Sequence, residues 1–284
     1  MIAIIPAFLF NWLLVYMAVG IFISSHSATF IVSLTTMFAF LWLSQTKAAE
    51  QFLRWNQDAR KAVTQEKNIV MPMLETLSKR AGLKTVPALY VLDTDGLEAY
   101  ALGKNTIGIS TGMLKKASDA ELYGVLAHEI AHLKYKDSVK GTTIYSLNIA
   151  GWIALLIIHG ILILATFLAN FAGRIGIIGA AVAFLSLVLK LFVEGGCKLL
   201  VFIRCASMRK AEFRADQFAV EVGGGQGLIS ILEKMAQYEQ AINRWSRKKT
   251  NQKRGIIGKL EATHPPIMER IERIEKFLQN NNTI

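Results

Sequence analysis

The sequence predicts a mainly α membrane protein: four transmembrane helices in two hairpins, with a small cytoplasmic α+β domain. Three observations carry this. The 284 residues are 52% hydrophobic and only 19% charged. Their apolar residues cluster into four runs, residues 2–23, 29–43, 144–169 and 175–189. And the polar stretch between the second and third runs contains His128-Glu129-Ile130-Ala131-His132.

The first and third runs are long enough to cross a hydrocarbon core of about 30 Å. The second is adequate when counted from Ser27 to Ser44, and the fourth if Lys190 snorkels to the headgroups. A cleaved signal peptide is the rival reading of the first run, but the basic flank of such peptides is missing and a second apolar run follows at once. A buried soluble hairpin is the rival for the later pair. No acidic residue lies between Asp137 and Glu194, which favours insertion. Four segments follow: residues 1–46, a first hairpin; 47–143, cytoplasmic helices, strands and the histidine helix; 144–204, a second hairpin; 205–284, a cytoplasmic helical part.

Charge sets the orientation. Fourteen of the 32 Lys and Arg lie between Lys47 and Lys140 and seventeen from Lys190 onward, while the hairpin tips hold Arg174 alone. By the positive-inside rule both polar segments and both termini are cytoplasmic. The net charge of +11 then suits an anionic inner leaflet. Nucleic-acid binding, the other use of a basic balance, has no supporting motif. Cys197 and Cys205 would be about 12 Å apart on a helix, beyond disulfide reach, and read as ordinary buried thiols.

Residues 47–84 read as helical, with Pro72 opening a new helix. Residues 88–92, 97–102 and 106–110 read as strands separated by Asp93-Thr94-Asp95-Gly96 and Gly103-Lys104-Asn105, a small antiparallel β-meander. Its edge strand could pair with an extended peptide backbone. Ser118 and Glu121 then form a capping box that opens a helix apolar on most sides. On that helix His128 and His132 share a face at i, i+4 and can hold one metal ion, while Glu129 reaches a metal-bound water without being a ligand. This is the H-E-x-x-H arrangement of zinc peptidases. A catalytic zinc wants a third protein ligand and an open position. Glu212 in Ala211-Glu212-Phe213-Arg214-Ala215-Asp216 is the candidate, with Asp216 one turn on placed to accept the outer N–H of a ligating histidine. Spacing alone leaves a solvated face paired with Arg209, Lys210 or Arg214 equally open. Gly223-Gly224-Gly225-Gln226-Gly227 reads as a flexible connection, and residues 247–254 as a basic solvated loop. His159 in the third run reads as an interhelical hydrogen-bonding residue. Gly176 with Ala180, and Gly179 with Ala183, suit close helix packing.

Taken in order, the four apolar runs, His128 to His132, Glu212 to Asp216 and Thr263-His264-Pro265-Pro266 resemble the HtpX-type integral-membrane zinc metalloproteases, relatives of the CAAX prenyl proteases. The resemblance covers nearly the whole chain. It implies a zincin-like α+β metalloprotease domain, one Zn2+ held by His128, His132 and Glu212, and Glu129 as general base. It implies His264, together with Arg270, near the reacting carbonyl. Glu98-Ala99-Tyr100-Ala101-Leu102 resembles the family's substrate-binding strand, which usually begins with Asn where this chain has Glu98. The implied activity is endoproteolysis of misfolded or damaged membrane proteins in a bacterial inner membrane, with protein substrates and lipid as partners. The alternatives are a CAAX-type processing protease, or a membrane scaffold whose zinc is structural.

Overall fold

A computed structural model of the chain describes residues 3–55, 57–171, 175–247 and 265–281. The described chain contains helices α1 (Ile4–Gly20), α2 (His26–Leu43), α3 (Lys47–Trp55), α4 (Thr64–Ala81), α5 (Thr111–Lys116), α6 (Asp119–Lys134), α7 (Asp137–Phe171), α8 (Ile175–Glu221), α9 (Gly225–Arg247) and α10 (Ile267–Asn281). Its strands are β1 (Arg60–Lys61), β2 (Ala88–Leu92), β3 (Ala99–Leu102) and β4 (Thr106–Ser110). Two compact units result. One holds residues 1–49 and 142–204, the other residues 50–141 and 205–284.

The first unit is built from the apolar runs. Among the described residues three stretches are long and apolar enough to cross a membrane: α2, Asp137–Leu168 within α7, and Gly179–Glu221 within α8. The fourth expected span is a shorter apolar helix, Ile4–Gly20; its 17 residues extend about 26 Å, a few ångströms less than a hydrocarbon core. Leu14, Val15 and Ala18 of α1 cluster with Met37 of α2, Leu147, Ala150, Ala154, Leu155 and Ile158 of α7, and Leu189 of α8. Polar atoms within this unit are matched. Buried Asn11 donates to the Ala7 carbonyl (2.7 Å) and to Asn148 Oδ1 (3.0 Å), and Trp12 Nε1 donates to Ser33 Oγ (3.0 Å). Large side chains such as Leu9, Phe30, Phe38, Leu156 and Phe184 remain exposed, as a lipid-facing surface requires. His159 bonds the Leu155 carbonyl of its own helix at 3.0 Å, not a neighbouring helix as expected.

The second unit corrects the meander. Its sheet runs β1-β2-β4-β3, with β2 parallel to β4 and β3 antiparallel to β4. In a meander β3 would be central. Yet β4 is buried at every position while β3 is only half-buried, so β4 takes the middle and the Ala-rich strand is displaced to the edge. β3 and β4 still form the expected hairpin, turning at Gly103, whose φ of 55° is left-handed. Pro72 lies inside α4, not at its start. The helix opens instead at Val63, whose N–H donates to Glu66 (2.8 Å). Pro72 is exposed, so the carbonyl it leaves unbonded can be hydrated.

α6 is the spine of this unit. Eleven of its 16 residues are buried, and α4, α9 and β3 pack around it. The expected capping box is present: Glu121 accepts the Ser118 N–H at 2.8 Å and Ser118 Oγ accepts the Glu121 N–H at 3.4 Å. Glu121 also accepts from Ser230 Oγ (2.6 Å) and Lys234 Nζ (2.7 Å), tying α9 to the start of α6. Residues 223–227 are not a flexible connection. Gly223 takes a left-handed φ of 81° after α8. A Cβ at Gly227 would collide with the Ala120 backbone, and one at Gly124 with the Leu228 nitrogen. These glycines let α9 approach α6 at backbone contact.

Candidate active site

α6 presents His128 and His132 on one face, with Nε2 atoms 3.2 Å apart. α8 brings Glu212 to them: Oε2 lies 3.5 Å from His128 Nε2 and Oε1 3.5 Å from His132 Nε2. With one atom taken from each residue, all three donors fall within 4.8 Å of one another. Ligand atoms bonded to zinc at about 2.1 Å in a tetrahedron are separated by about 3.4 Å, so the spacing and the two-imidazole, one-carboxylate set fit a catalytic metal site. Glu129, the next residue on α6, is also buried, at 8% exposure.

Each imidazole is backed by a carboxylate. Asp216, one turn beyond Glu212 and wholly buried, has Oδ1 2.9 Å from His128 Nδ1. Arg270, from α10, grips the same carboxylate with Nη2 to Oδ1 at 2.6 Å and Nε to Oδ2 at 2.9 Å. Arg270 Nη2 also comes within 3.3 Å of His128 Nδ1. A guanidinium cannot accept and a carboxylate can, so Nδ1–H donates to Asp216 and Nε2 is the ring atom turned toward the cluster. Behind His132 stands Asp137, the first residue of α7, with Oδ2 3.7 Å from Nδ1. Asp137 is held by Arg214 Nη2 (2.6 Å) and Lys140 Nζ (2.7 Å). Lys136 at φ 60° makes the reversal that returns Asp137 toward α6.

The electrostatics favour positive charge. For His128, burial and the Arg270 charge oppose protonation, yet Asp216 and Glu212 outweigh them and its pKa is raised. His132 is pushed up to about 10, burial again opposing and Asp137 and Glu212 prevailing. Burial also works against the Arg270 charge, which Asp216 and Glu212 more than restore. A pocket that binds protons this readily suits a divalent cation, which must displace them.

Thus the residues singled out in the sequence, His128, Glu129, His132, Glu212, Asp216 and Arg270, meet in one place. The solvated-face alternative for Glu212 and Asp216 is overturned by their burial. Arg270 supports the site through its bonds to Asp216. His264 lies outside the described residues. On the proposed substrate strand, Glu98 is exposed and donates its N–H to Ser110 Oγ (3.1 Å). Ala99 and Ala101 face the core shared with α6. Tyr100 lies against Gly108 of β4, its hydroxyl buried and its pKa raised to about 12, chiefly by that burial. Asp137 and Arg214 were missed in the sequence; the one available signal was an acidic residue five positions after His132.

The profile of peptidase family M48 matches residues 64–278. Protease HtpX homolog of Methylibium petroleiphilum is 27% identical over 277 residues, covering 91% of each chain. That of Paraburkholderia phytofirmans is 32% identical over 228 residues, 71% of each. Among solved structures, the crystal structure of S. mikatae Ste24p superposes with a TM-score of 0.57 at 17% identity, spanning 92% of this chain and 61% of that one, a likeness of fold. Family profile, relatives and apolar helices agree: the chain belongs to peptidase family M48, as an integral-membrane metalloprotease of HtpX type.

Proposed function

We infer that this chain is a zinc-dependent endopeptidase that cleaves misfolded or damaged membrane proteins at the cytoplasmic face of a bacterial inner membrane. The observation that carries the reading is the three-donor cluster with a buried carboxylate beside it: His128, His132 and Glu212 spaced for one ion, Glu129 adjacent. Structural zinc sites are closed and rich in Cys, whereas two imidazoles and one carboxylate make a catalytic donor set. This argues against the scaffold reading.

His128, His132 and Glu212 would hold Zn2+, which when bound acidifies water and polarises the scissile carbonyl. Glu129 takes the proton of the attacking water and returns it to the leaving amine. Asp216 and Asp137 fix the imidazoles so that both Nε2 atoms face the ion. Arg270 acts through Asp216, neutralising a carboxylate that would otherwise be buried and charged. His264, one residue before the described α10 segment, is assigned to the carbonyl oxygen of the tetrahedral intermediate. Among the described residues the outer edge of β3 carries no sheet partner, so an extended substrate can add to it beside α6. There Glu98 gives the strand an acidic start. The two hairpins, with α1 as the fourth span, would keep both termini and this site cytoplasmic.

The test is Glu129→Gln in detergent-purified protein, with zinc measured by mass spectrometry and cleavage measured on casein. Zinc should remain near one per chain while turnover falls about 10^3-fold. Persistent cleavage by contaminant-free variant would refute the general-base assignment.

A further inference from the structure

Among the described helices, α3 stands out because none of its residues is buried. Three residues separate it from the membrane-length α2, and Thr46 Oγ1 caps it by accepting the Ala49 N–H at 3.4 Å. Its two faces differ. The inner one is engaged: Glu50 accepts the Lys104 N–H in the β3–β4 turn (2.6 Å), and the Arg54 guanidinium lies 4.5 Å from the Tyr90 ring centre on β2. The outer one, Ala48, Gln51, Phe52 and Trp55 at helical spacing, is exposed. Phe52 is 46% and Trp55 75% exposed, their ring centres 6.5 Å apart, and Lys47 is exposed at the helix start.

A pair of large exposed aromatics is costly in water. Trp and Phe beside Lys, on a short helix tethered to a span, match the chemistry of the membrane–water interface, where amphipathic rings sit at headgroup level and cations meet anionic lipid. A protein partner would leave the short tether to α2 without consequence; a bilayer surface makes it the reason the face is there. We propose that α3 is an interfacial anchor, its Phe52–Trp55 face seated among the lipid headgroups. Because Glu50 on its other face grips the β3–β4 turn, the anchor fixes the depth of the β3 edge at the membrane surface. Ser138, in the first turn of α7, holds that same turn from a second helix by donating to the Gly103 carbonyl at 2.7 Å. The consequence for substrates rests on β3 being the substrate edge: it favours extended segments emerging directly from the bilayer.

The anchor is tested without proteolysis. In a Cys197→Ser, Cys205→Ala background, nitroxide labels are placed by Phe52→Cys or Trp55→Cys, with Glu75→Cys and Glu275→Cys as exposed controls. The full chain is reconstituted in nanodiscs of phosphatidylethanolamine and phosphatidylglycerol. Labels at 52 and 55 should be reached by oxygen in preference to an aqueous nickel complex, and the controls the reverse. Nickel access at 52 and 55 equal to that of the controls overturns the proposal. In a second arm, Phe52→Ser/Trp55→Ser should cleave casein as the native protein does, but cleave a bilayer-embedded substrate several-fold more slowly, with Phe52→Leu/Trp55→Tyr restoring the rate. Equal losses on both substrates would overturn the depth-setting role. A native protein inert on both substrates would instead sink the protease reading, while the label depths still decide the anchor.

Discussion

The bond between Asp216 and Arg270 offers the sharpest separation of stability from metal binding. Asp216 is fully buried and Arg270 is 8% exposed, and they meet through two charge-assisted contacts of 2.6 and 2.9 Å. Asp216→Asn keeps the shape but strands the guanidinium, whose nearest remaining carboxylate oxygen is Glu212 Oε2 at 3.5 Å. Removing one partner of a buried ion pair costs about 3–5 kcal/mol, and the remaining Glu212 contact puts the expectation near 3. The same change weakens the acceptor for His128 Nδ1–H, which should lower zinc affinity by about 10–100-fold. Replacing both partners with apolar residues, Asp216→Leu/Arg270→Met, removes the stranded charge, so most of the stability should return. Zinc affinity should not, because His128 still lacks its acceptor. The assays are denaturant midpoints of metal-free protein in detergent and zinc competition against a chelator. Recovery of zinc affinity together with stability in the double variant would show that Asp216 serves packing alone and refute the reasoning.

Two further outcomes follow from the same unit. Asp137→Asn should weaken zinc binding by about 10–100-fold through His132, whereas Lys140→Met, which removes a half-exposed partner, should leave it within a few-fold; equal effects would deny Asp137 a part in orienting the ring. Glu121 supplies a pH dependence remote from the metal. Although burial opposes its charge, the Lys234, Ser230 and Ser118 hydrogen bonds bring its pKa from 4.5 to about 2. Its folded pKa is lower than its unfolded one, so the stabilisation is complete above about 4.5 and is lost as pH falls toward about 2. At 1.36 kcal/mol per unit this is about 3 kcal/mol, nearer 2 after allowing for the half-exposed Lys234. Glu121→Gln should lower metal-free stability at pH 7 and flatten its decline in acid; a parallel acid limb in both proteins would count against the assignment.

What the sequence made legible was local. The Ser118–Glu121 box, the i, i+4 histidines, the strands at 88–92 and 106–110 and the Glu212–Asp216 face all depend on spacings within one or two turns, which residue chemistry fixes directly. What escaped was set by partners distant in the chain. The parallel pairing of β2 with β4 follows from how much of β4 must be covered, a property of the finished core. Gly223 to Gly227 looked like a loop because glycine is permissive, and only the Ala120 and Leu228 backbones reveal that lack of bulk is their use. Arg270 entered only through the family resemblance, because nothing in the spacing couples it to Asp216, 54 positions earlier. Asp137 stood in the sequence only as the last acidic residue before the third apolar run; in the structure it both opens α7 and supports His132.

That double use explains how so long an insertion is tolerated inside a metal site. Roughly 80 positions separate His132 from Glu212, and closing a flexible loop of that length costs about 4 kcal/mol in chain entropy. Here α7 and α8 account for nearly all of the interval's described residues, so little of that cost is paid by flexible chain. The two helices are tied where they border the site, since Arg214 of α8 bonds Asp137 of α7 at 2.6 Å and Asp137 backs His132. Glu212 lies on the same helix as Arg214, two residues before it. A displacement of α8 relative to the start of α7 would therefore disturb the third donor and the support of the second together. The Arg214–Asp137 contact and the metal geometry are mechanically one feature, so Arg214→Met should lower zinc affinity before any change in the fold of α6.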